Sequence, residues 1–333
     1  MQSKLTQLVT GLRVVALSGL LFLFLASPLL PQKKEVCLTF DDFPYVQMGR
    51  YPVSLIKDKL TRLIKVLEKY DAKPAAFINE IQLYKDESTI DPRRVELVQM
   101  WIDAGFTMGN HGFRHVDLSF HTAEEFKEDV LNGEKIFAPM IKGKQKFYRF
   151  PQLEVGNTLE IKREVERFLE ENNYKILPVT ISAAEYKFAI AYSKAYYSKN
   201  EKYKKKIADD YIAYLSKFID LVEKQTEFLF KRQIKHVMLL HMNELNIDHM
   251  ERLILLFKKK KYKFISAEDA MTDEVFTIRN TYAGRDGLGF IDQIASMRRL
   301  MGDPLFDDKR VPVPDYVLEL SDNDFYDFPY DNE

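Results

Sequence analysis

The sequence predicts an α/β fold, an incomplete parallel β/α barrel with seven strands, and three observations support this prediction. Short β-branched or apolar runs alternate with longer segments of helical periodicity along most of the 333-residue chain. The connections are long enough for the crossover helices that parallel strands require. Polar residues directly follow several of the strands, which is where the active sites of such barrels lie. We therefore expect one barrel with a site at the carboxyl ends of its strands.

Seven short segments have the length and composition of β-strands. They are residues 36–40, 75–78, 107–109, 146–150, 175–181, 236–241 and 262–265. Because helix-sized segments separate them, we expect neighbouring strands to run in parallel. Their carboxyl ends would then meet at one mouth of the barrel.

Five segments between the strands have helical periodicity. They are residues 53–70, 92–104, 123–137, 158–172 and 247–261. Asp91 is the expected N-cap of the second helix, with Pro92 at the first helical position, where a missing N–H costs little. Thr122 is the expected cap of the third helix. These signals predict where two of the helices begin.

The barrel is expected to occupy residues 33–275, with a helical insertion at about 189–235 and a C-terminal extension at 276–333. The insertion contains no Pro or Gly, and its pattern predicts two helices joined by a charged hinge near 198–206. We interpret it as an enlarged helical layer of the barrel, with a lid beside the site as the alternative. The extension ends in an Asp-rich segment at 321–333, which predicts a loosely ordered acidic tail.

Residues 1–32 differ in composition from the rest of the chain. Lys4 and Arg13 precede an apolar run at 14–26, and this order is typical of a secretory signal peptide. The run is shorter than the roughly 20 residues that a spanning helix needs. Since the residues around Ala26 form a poor cleavage site, an uncleaved membrane anchor is the alternative. The sequence thus predicts export to the periplasm or the extracellular space, either free or attached to the membrane.

The charge balance and the cysteine content exclude several functions. Lys and Arg number 49 against 50 Asp and Glu, a formal net charge of −1, so we expect no nucleic-acid partner. The single cysteine, Cys37, excludes metal sites built from cysteine pairs. Any metal must therefore be held by histidines and carboxylates. No segment indicates a protein partner.

Candidate metal ligands follow two of the strand segments. Asp41 and Asp42 end the first strand, although an Asp pair alone is more typical of a solvated turn or a helix cap. His111 and His115 are four residues apart, a spacing that places both on one face of a helical turn and lets them reach one ion; a chance surface pair is the alternative. Because Gly112 follows the first histidine, the His-Glu-x-x-His pattern is absent. A His, His and Asp set with open coordination positions would suit a catalytic zinc.

In this order the motifs resemble those of the polysaccharide deacetylases of carbohydrate esterase family four, which share the NodB homology domain. The resemblance extends from about residue 35 to residue 273 and implies an incomplete (β/α)7 barrel of the NodB type. The Thr-Phe-Asp-Asp sequence matches the family's first motif and implies Asp41 as the catalytic base and Asp42 as a metal ligand. The second motif implies His111 and His115 as the other two ligands.

Two further motifs of the family occur later in the chain. The Arg-Phe-Pro sequence at Arg149 matches the third motif; it implies that Arg149 orients the base and that the backbone N–H of Gln152, just after Pro151, helps to hold an oxyanion. The Leu-x-His sequence from Leu239 to His241 matches the fifth motif and implies His241 as the catalytic acid. The resemblance thus implies that Pro151, Gln152 and Leu239 contact the substrate.

The chain departs from the family pattern at two motifs. Gly112 replaces the hydroxyl residue of the second motif. In the fourth motif the family has Asp-x-x-Asp-Trp, whereas this chain has Ser182, two alanines, Glu185 and Tyr186. We expect Glu185 to reach His241 and to raise the pKa of that imidazole, as the family's shorter carboxylate does. Tyr186 would keep an aromatic wall for the substrate.

Together the motifs predict a metal-dependent hydrolase that removes N-acetyl groups from an amino-sugar glycan of the peptidoglycan, chitin or exopolysaccharide type. The implied cofactor is one divalent metal, zinc, with cobalt, nickel and manganese as alternatives. An esterase or amidase that acts on another acyl group is the first alternative, because the same site serves both bonds. A catalytically decayed barrel that only binds glycans is the second, because the fourth motif is altered.

Overall fold

A computed structural model of the chain describes residues 33–46, 48–86, 88–302 and 310–322. The predicted signal peptide or anchor at 1–32 lies outside these residues, as does nearly all of the predicted acidic tail. Among the helices that the structure describes, none has the length and hydrophobicity needed to span a membrane.

Seven parallel strands form one sheet, and each predicted strand is present. They are β1 (Lys34–Phe43), β2 (Ala75–Ile78), β3 (Thr107–Asn110), β4 (Lys146–Tyr148), β5 (Tyr174–Ile176), β6 (Lys235–His241) and β7 (Tyr262–Phe264). Their order is β5-β4-β3-β2-β1-β6, and β7 pairs with the first residues of β1. The central strand β1 pairs with β6 from Glu35 and Lys235 to Asp41 and His241. This register places Asp41 and His241 side by side at the carboxyl ends of two strands.

The sheet curls into a barrel that is not fully closed, as predicted. In the described part of the chain, the gap between β5 and β6 is spanned by a single bridge, between Ile181 and Met238. The strand expected at 175–181 therefore ends early, at Ile176. Leu177 still donates to the Tyr148 carbonyl of β4 at 2.9 Å, and the chain leaves β4 after it. The chain then crosses to β6, where Ile181 donates to the carbonyl of Val237.

Helices cover the outside of the sheet. They are α1 (Val53–Lys69), α2 (Pro92–Asp103), α3 (Ala123–Asn132), α4 (Phe137–Met140), α5 (Leu159–Glu171), α6 (Glu185–Tyr197), α7 (Glu201–Phe230), α8 (Glu244–Lys259), α9 (Ala267–Ala270), α10 (Phe290–Leu300) and α11 (Asp315–Asp322). Asp91 caps α2 and Thr122 caps α3, as predicted. The single helix expected at 123–137 is instead two, because α3 ends before Gly133.

The insertion forms α6 and α7, and it begins at Glu185, four residues before the predicted start. The break between the two helices is confined to residues 198–200, so it is shorter than the predicted hinge. Phe188 of α6 and Tyr211 of α7 are fully buried and belong to the main hydrophobic core. The C-terminal extension joins the same core, since Val317 of α11 is fully buried there. Both segments are therefore packed parts of the barrel's outer layer.

Candidate active site

Asp41 and Asp42 lie at an irregular point of β1. The register with β2 shifts between Phe40 and Phe43, and Asp42 has a left-handed backbone with φ 59°. In a regular strand the two carboxylates would point to opposite faces, but this turn brings both toward one mouth of the barrel. Aspartate adopts a left-handed backbone more readily than most residues, which suits it to this position.

The spacing of His111 and His115 predicted one turn of a helix. The two residues lie instead on an irregular loop that follows β3. The loop is left-handed at Gly112 (φ 81°) and at His115 (φ 61°). His111 Nδ1 lies 2.8 Å from the carbonyl oxygen of Arg149 and donates to it. The other ring nitrogen, Nε2, then faces the carboxylates. The two imidazole rings meet edge to face, with centroids 4.8 Å apart.

The side chains of Asp42, His111 and His115 together form a set that suits a divalent metal ion. Asp42 Oδ1 lies 4.0 Å from His111 Nε2 and 3.8 Å from His115 Nε2, and one ligand atom from each residue lies within 4.8 Å of the others. Two ligands that are each about 2.1 Å from one ion lie at most about 4.2 Å apart, so the spacing is close to that of a zinc-type site. Burial lowers the pKa of His111 well below its ordinary value, which keeps the ring neutral, as a ligand must be.

Asp41 is held by a buried arginine. Arg149 Nη1 donates to both oxygens of the Asp41 carboxylate, at 3.1 and 3.3 Å. The guanidinium itself is fixed by the Leu177 carbonyl at 3.0 Å, by the Thr39 hydroxyl at 3.2 Å and by the face of the Phe77 ring. Burial raises the pKa of Asp41, and the positive charge of Arg149 opposes this. The arginine therefore favours the ionised form that a general base needs.

His241 pairs with Glu185, as the altered fourth motif predicted. Its Nδ1 lies 2.7 Å from Glu185 Oε2, and the glutamate is 1% exposed. Burial lowers the pKa of His241, but the carboxylates of Glu185, Asp42 and Asp41 outweigh burial and raise it to about 9. The imidazole is therefore protonated at neutral pH, as a general acid must be.

Two asparagines, which were not predicted from the sequence, hold Glu185 beside His241. The side-chain amides of Asn243 and Asn246 each donate to Glu185 Oε1 at 2.6 Å. Asn246 also donates to the backbone carbonyl of His241 at 2.9 Å. Asn243 is the N-cap of α8, and this cap signal two residues after His241 could have been seen in the sequence. Asn246, one helical turn further on, has no such signal.

The predicted substrate residues lie in three places. Pro151 and Gln152 form a tight turn after β4, and Gln152 is left-handed with φ 54°. Gly287 of the C-terminal extension packs on this turn; a Cβ there would lie 2.6 Å from the Gln152 carbonyl. Leu239 is partly buried in β6, and Tyr186 is 51% exposed on α6.

A cavity of about 320 Å³ adjoins the metal-ligand set. Its described lining consists of Asp42, Val46, Tyr51, Tyr186, Ala189, Ile190, Ser193, His241, Asn243 and Glu244. One wall is α6, so the insertion shapes the space beside the predicted acid. Pro151, Gln152 and Leu239 are not among these residues. A larger groove of about 990 Å³ borders Lys146 and Lys175 and contains none of the predicted site residues.

Comparisons with known proteins agree with the motifs. Residues 30–171 match the family model described as polysaccharide deacetylase. No curated protein matches the chain. Solved structures that are similar to it include a family 4 carbohydrate esterase pseudoenzyme from Bacillus anthracis, at 15% identity over 70% of this chain and 64% of that chain, with a TM-score of 0.42. This alignment spans slightly less than two thirds of the pseudoenzyme.

Two further structures are similar at comparable levels. Bacillus subtilis PdaA, a family 4 carbohydrate esterase, is 19% identical over 72% of this chain and 81% of that chain, with a TM-score of 0.45. A polysaccharide deacetylase from Bacillus cereus is 18% identical over 70% of this chain and 92% of that chain, with a TM-score of 0.47. Residues 30–171 are thus similar to the polysaccharide deacetylase family.

Proposed function

We propose that the chain is a metal-dependent hydrolase that removes N-acetyl groups from an amino-sugar glycan. One observation carries the proposal: a carboxylate held by arginine and an imidazole held by glutamate flank one set of three metal ligands. Asp41 and His241 lie opposite each other on neighbouring strands, so a base and an acid lie at one mouth of the barrel. Amide hydrolysis needs both, because a proton must leave the nucleophile and another must reach the leaving amine.

Asp42, His111 and His115 would hold the metal ion. Zinc bound in such a site lowers the pKa of water to about 7 and polarises a carbonyl group. The carboxylate and the two imidazoles also suit cobalt, nickel and manganese.

Asp41 would accept a proton from the attacking water. Its carboxylate is 3% exposed and held at two oxygens by Arg149, so its position is fixed before the substrate binds. Burial raises the pKa of Asp41 above its ordinary value, and the Arg149 charge partly offsets that rise, so the carboxylate is more basic than a free aspartate.

His241 would donate a proton to the nitrogen of the leaving amine. Since its Nδ1 is bonded to Glu185, Nε2 is the donor atom. A pKa of about 9 keeps this acid charged at neutral pH, and an amine that leaves without a proton is far too basic. A protonated His241 held by Glu185 therefore supports amide hydrolysis. It argues against a catalytically decayed barrel that only binds glycans.

The cavity supports a sugar substrate. Tyr51 and Tyr186 line it together with apolar residues of α6, and aromatic rings pack well against the apolar faces of pyranose rings. Its volume of about 320 Å³ lies in the range of small-molecule sites. With the export that residues 1–32 predict, the glycan would be periplasmic or extracellular.

Release of free acetate tests the proposal. Purified chain would be stripped of metal, restored with zinc or cobalt, and incubated with peptidoglycan, chitooligosaccharides or O-acetylated xylan. We expect acetate from an N-acetylated polymer only after metal is restored, and none from the Asp41→Asn variant. Acetate from xylan alone would favour the esterase alternative. Turnover that is equal with and without metal would contradict the proposal.

A further inference from the structure

Asp129, on the inward face of α3, contacts the loop that carries the two histidines. Its carboxylate accepts the backbone N–H of Phe113 at 2.9 Å and that of Arg114 at 2.8 Å, one at each oxygen. Asp129 is 6% exposed and lies between Phe126 and Val130 on the buried face of the helix. A charged group in this position needs partners, and the loop supplies them.

Position 112 has no room for a side chain while Asp129 is present. A Cβ built on Gly112 would lie 2.3 Å from Asp129 Oδ2, and the φ of 81° is itself unfavourable for other residues. Gly133, which follows α3, packs as closely: a Cβ there would lie 2.6 Å from the carbonyl carbon of Gly112. The carboxylate thus occupies the space that a side chain at position 112 would take.

The two histidines are fixed by different groups. The backbone N–H of His111 is bonded to the Ile78 carbonyl at 2.9 Å, and the His111 ring is bonded to the Arg149 carbonyl. His115 comes four residues later. The carbonyls of Gly112 and Phe113 accept backbone N–H groups of Glu80 and Ile81, and the Phe113 N–H also reaches the Asp129 backbone carbonyl at 3.1 Å. The bond from the Arg114 N–H to the Asp129 carboxylate, at 2.8 Å, lies directly next to His115 in the chain.

We propose that Asp129 is a positioning residue for the metal site, which holds the loop so that His115 faces Asp42. The inference rests on the proposed metal site, but its test does not use turnover. Asp129 would act through the loop, because its carboxylate is bonded to backbone N–H groups of that loop.

Metal affinity of the purified chain, measured with zinc against a chromophoric chelator, tests the inference. We expect Asp129→Ala to weaken zinc binding by about 10- to 100-fold, as the loss of groups that orient metal ligands does elsewhere. Asp273→Ala is the matched control, since Asp273 is also buried and accepts two backbone N–H groups, those of Lys235 and Val275, at the far end of β6. It should lower the melting temperature and leave zinc affinity within about twofold of the parent.

Asp129→Asn covers the case in which the alanine variant does not fold. The amide keeps the shape and one acceptor oxygen, so we expect binding about three- to tenfold weaker than in the parent. Unchanged affinity in a folded Asp129 variant would overturn the inference. A parent that binds no zinc would overturn the proposed metal site and the inference together, whereas tight binding without acetate release would leave the inference standing.

A double-mutant cycle tests the close approach of position 112 to Asp129. Gly112→Ala should weaken zinc binding about tenfold, because the new methyl group displaces the carboxylate. In the Asp129→Ala background the same change should cost less than about threefold, since the clashing atom is gone. Additive effects would contradict the proposed role of the carboxylate at this position.

Discussion

The two halves of the candidate site are built in different ways. On one side, Asp41 and Asp42 belong to β1, and Arg149 anchors Asp41, the proposed base, while it is itself bonded to Thr39 of β1 and to the Leu177 carbonyl just after β5. On the other side, His241 ends a strand, but its partner Glu185 is the first residue of the insertion helix α6. The metal and base half is thus part of the barrel, whereas the acid half depends on an added helix.

This difference indicates how the two halves respond to change. In the barrel half, Asp41 is fixed by the pairing of β1 and by one buried ion pair, which leaves it little freedom of movement. The acid half is fixed by a network of side chains, in which Asn243 and Asn246 hold Glu185 against His241. Substitutions in the barrel half should therefore abolish function, and those in the acid half should tune it.

The largest effect is expected from Asp41→Asn. Loss of the base should lower kcat by about 10²- to 10⁴-fold, while the metal content stays near one ion per chain. Acetate release and elemental analysis would measure the two quantities. Asp91→Asn is a suitable control, because Asp91 is also buried and paired with an arginine, at the start of α2. Loss of the metal in Asp41→Asn would mean that the adjacent aspartates have exchanged roles.

Glu185→Gln should change the pH dependence more than the maximum rate. In the parent, His241, the proposed acid, is protonated below a pKa of about 9, so activity should fall as the pH rises through that value. Without the carboxylate the pKa moves toward that of ordinary histidine, about 6.5, and the alkaline limb moves to lower pH. Each pH unit above the new pKa then costs about tenfold in rate.

The pH–rate profiles of the parent and Glu185→Gln would show this shift, with metal content measured in parallel. Glu251→Gln is the control, because Glu251 also accepts hydrogen bonds but lies on the exposed surface of α8. An alkaline limb that stays in place in Glu185→Gln would show that Glu185 does not tune the acid.

Asn246→Ala should have an intermediate effect. It removes the bond that ties Glu185 to the His241 backbone, and we expect kcat to fall about tenfold, equivalent to about 1.4 kcal/mol, with little change in KM. Asn172→Ala removes a similar amide-to-carbonyl bond at the end of α5 and should leave kcat unchanged. A larger change in KM than in kcat would assign Asn246 to substrate binding instead.

Tyr186→Phe should have the smallest effect. The ring would remain at the cavity wall and only a half-exposed hydroxyl would be lost, so both kinetic constants should stay within about twofold of the parent. Tyr186→Ala should raise KM several-fold, because the aromatic wall is lost. Equal effects of the two substitutions would argue against a wall formed by the ring.

The strand pattern and the motifs predicted the barrel and the pairing of Glu185 with His241. Both depend on local signals: apolar runs mark the strands, and each motif follows a strand end. The early end of β5 was not predicted, because it depends on where the chain leaves β4 and crosses to β6.

Other features depend on contacts that no local pattern encodes. The left-handed backbone at Asp42 arises from a register shift between two strands. Asp129 was visible as a charge on the apolar face of α3, but its partners lie 15 and 16 residues earlier in the chain. Asn246 takes its role from a helix that begins about 60 residues before it. Sequence spacing alone cannot predict which of these distant segments meet.

The central claim is that Asp42, His111 and His115 hold one catalytic metal ion beside Asp41. Anomalous diffraction from crystals of the chain soaked in cobalt would test it most directly. We expect one strong peak about 2.0 to 2.2 Å from one oxygen of Asp42 and one nitrogen of each histidine, with Asp41 outside bonding distance. A peak bonded to Asp41 in place of Asp42, or no peak between the two histidines, would contradict it.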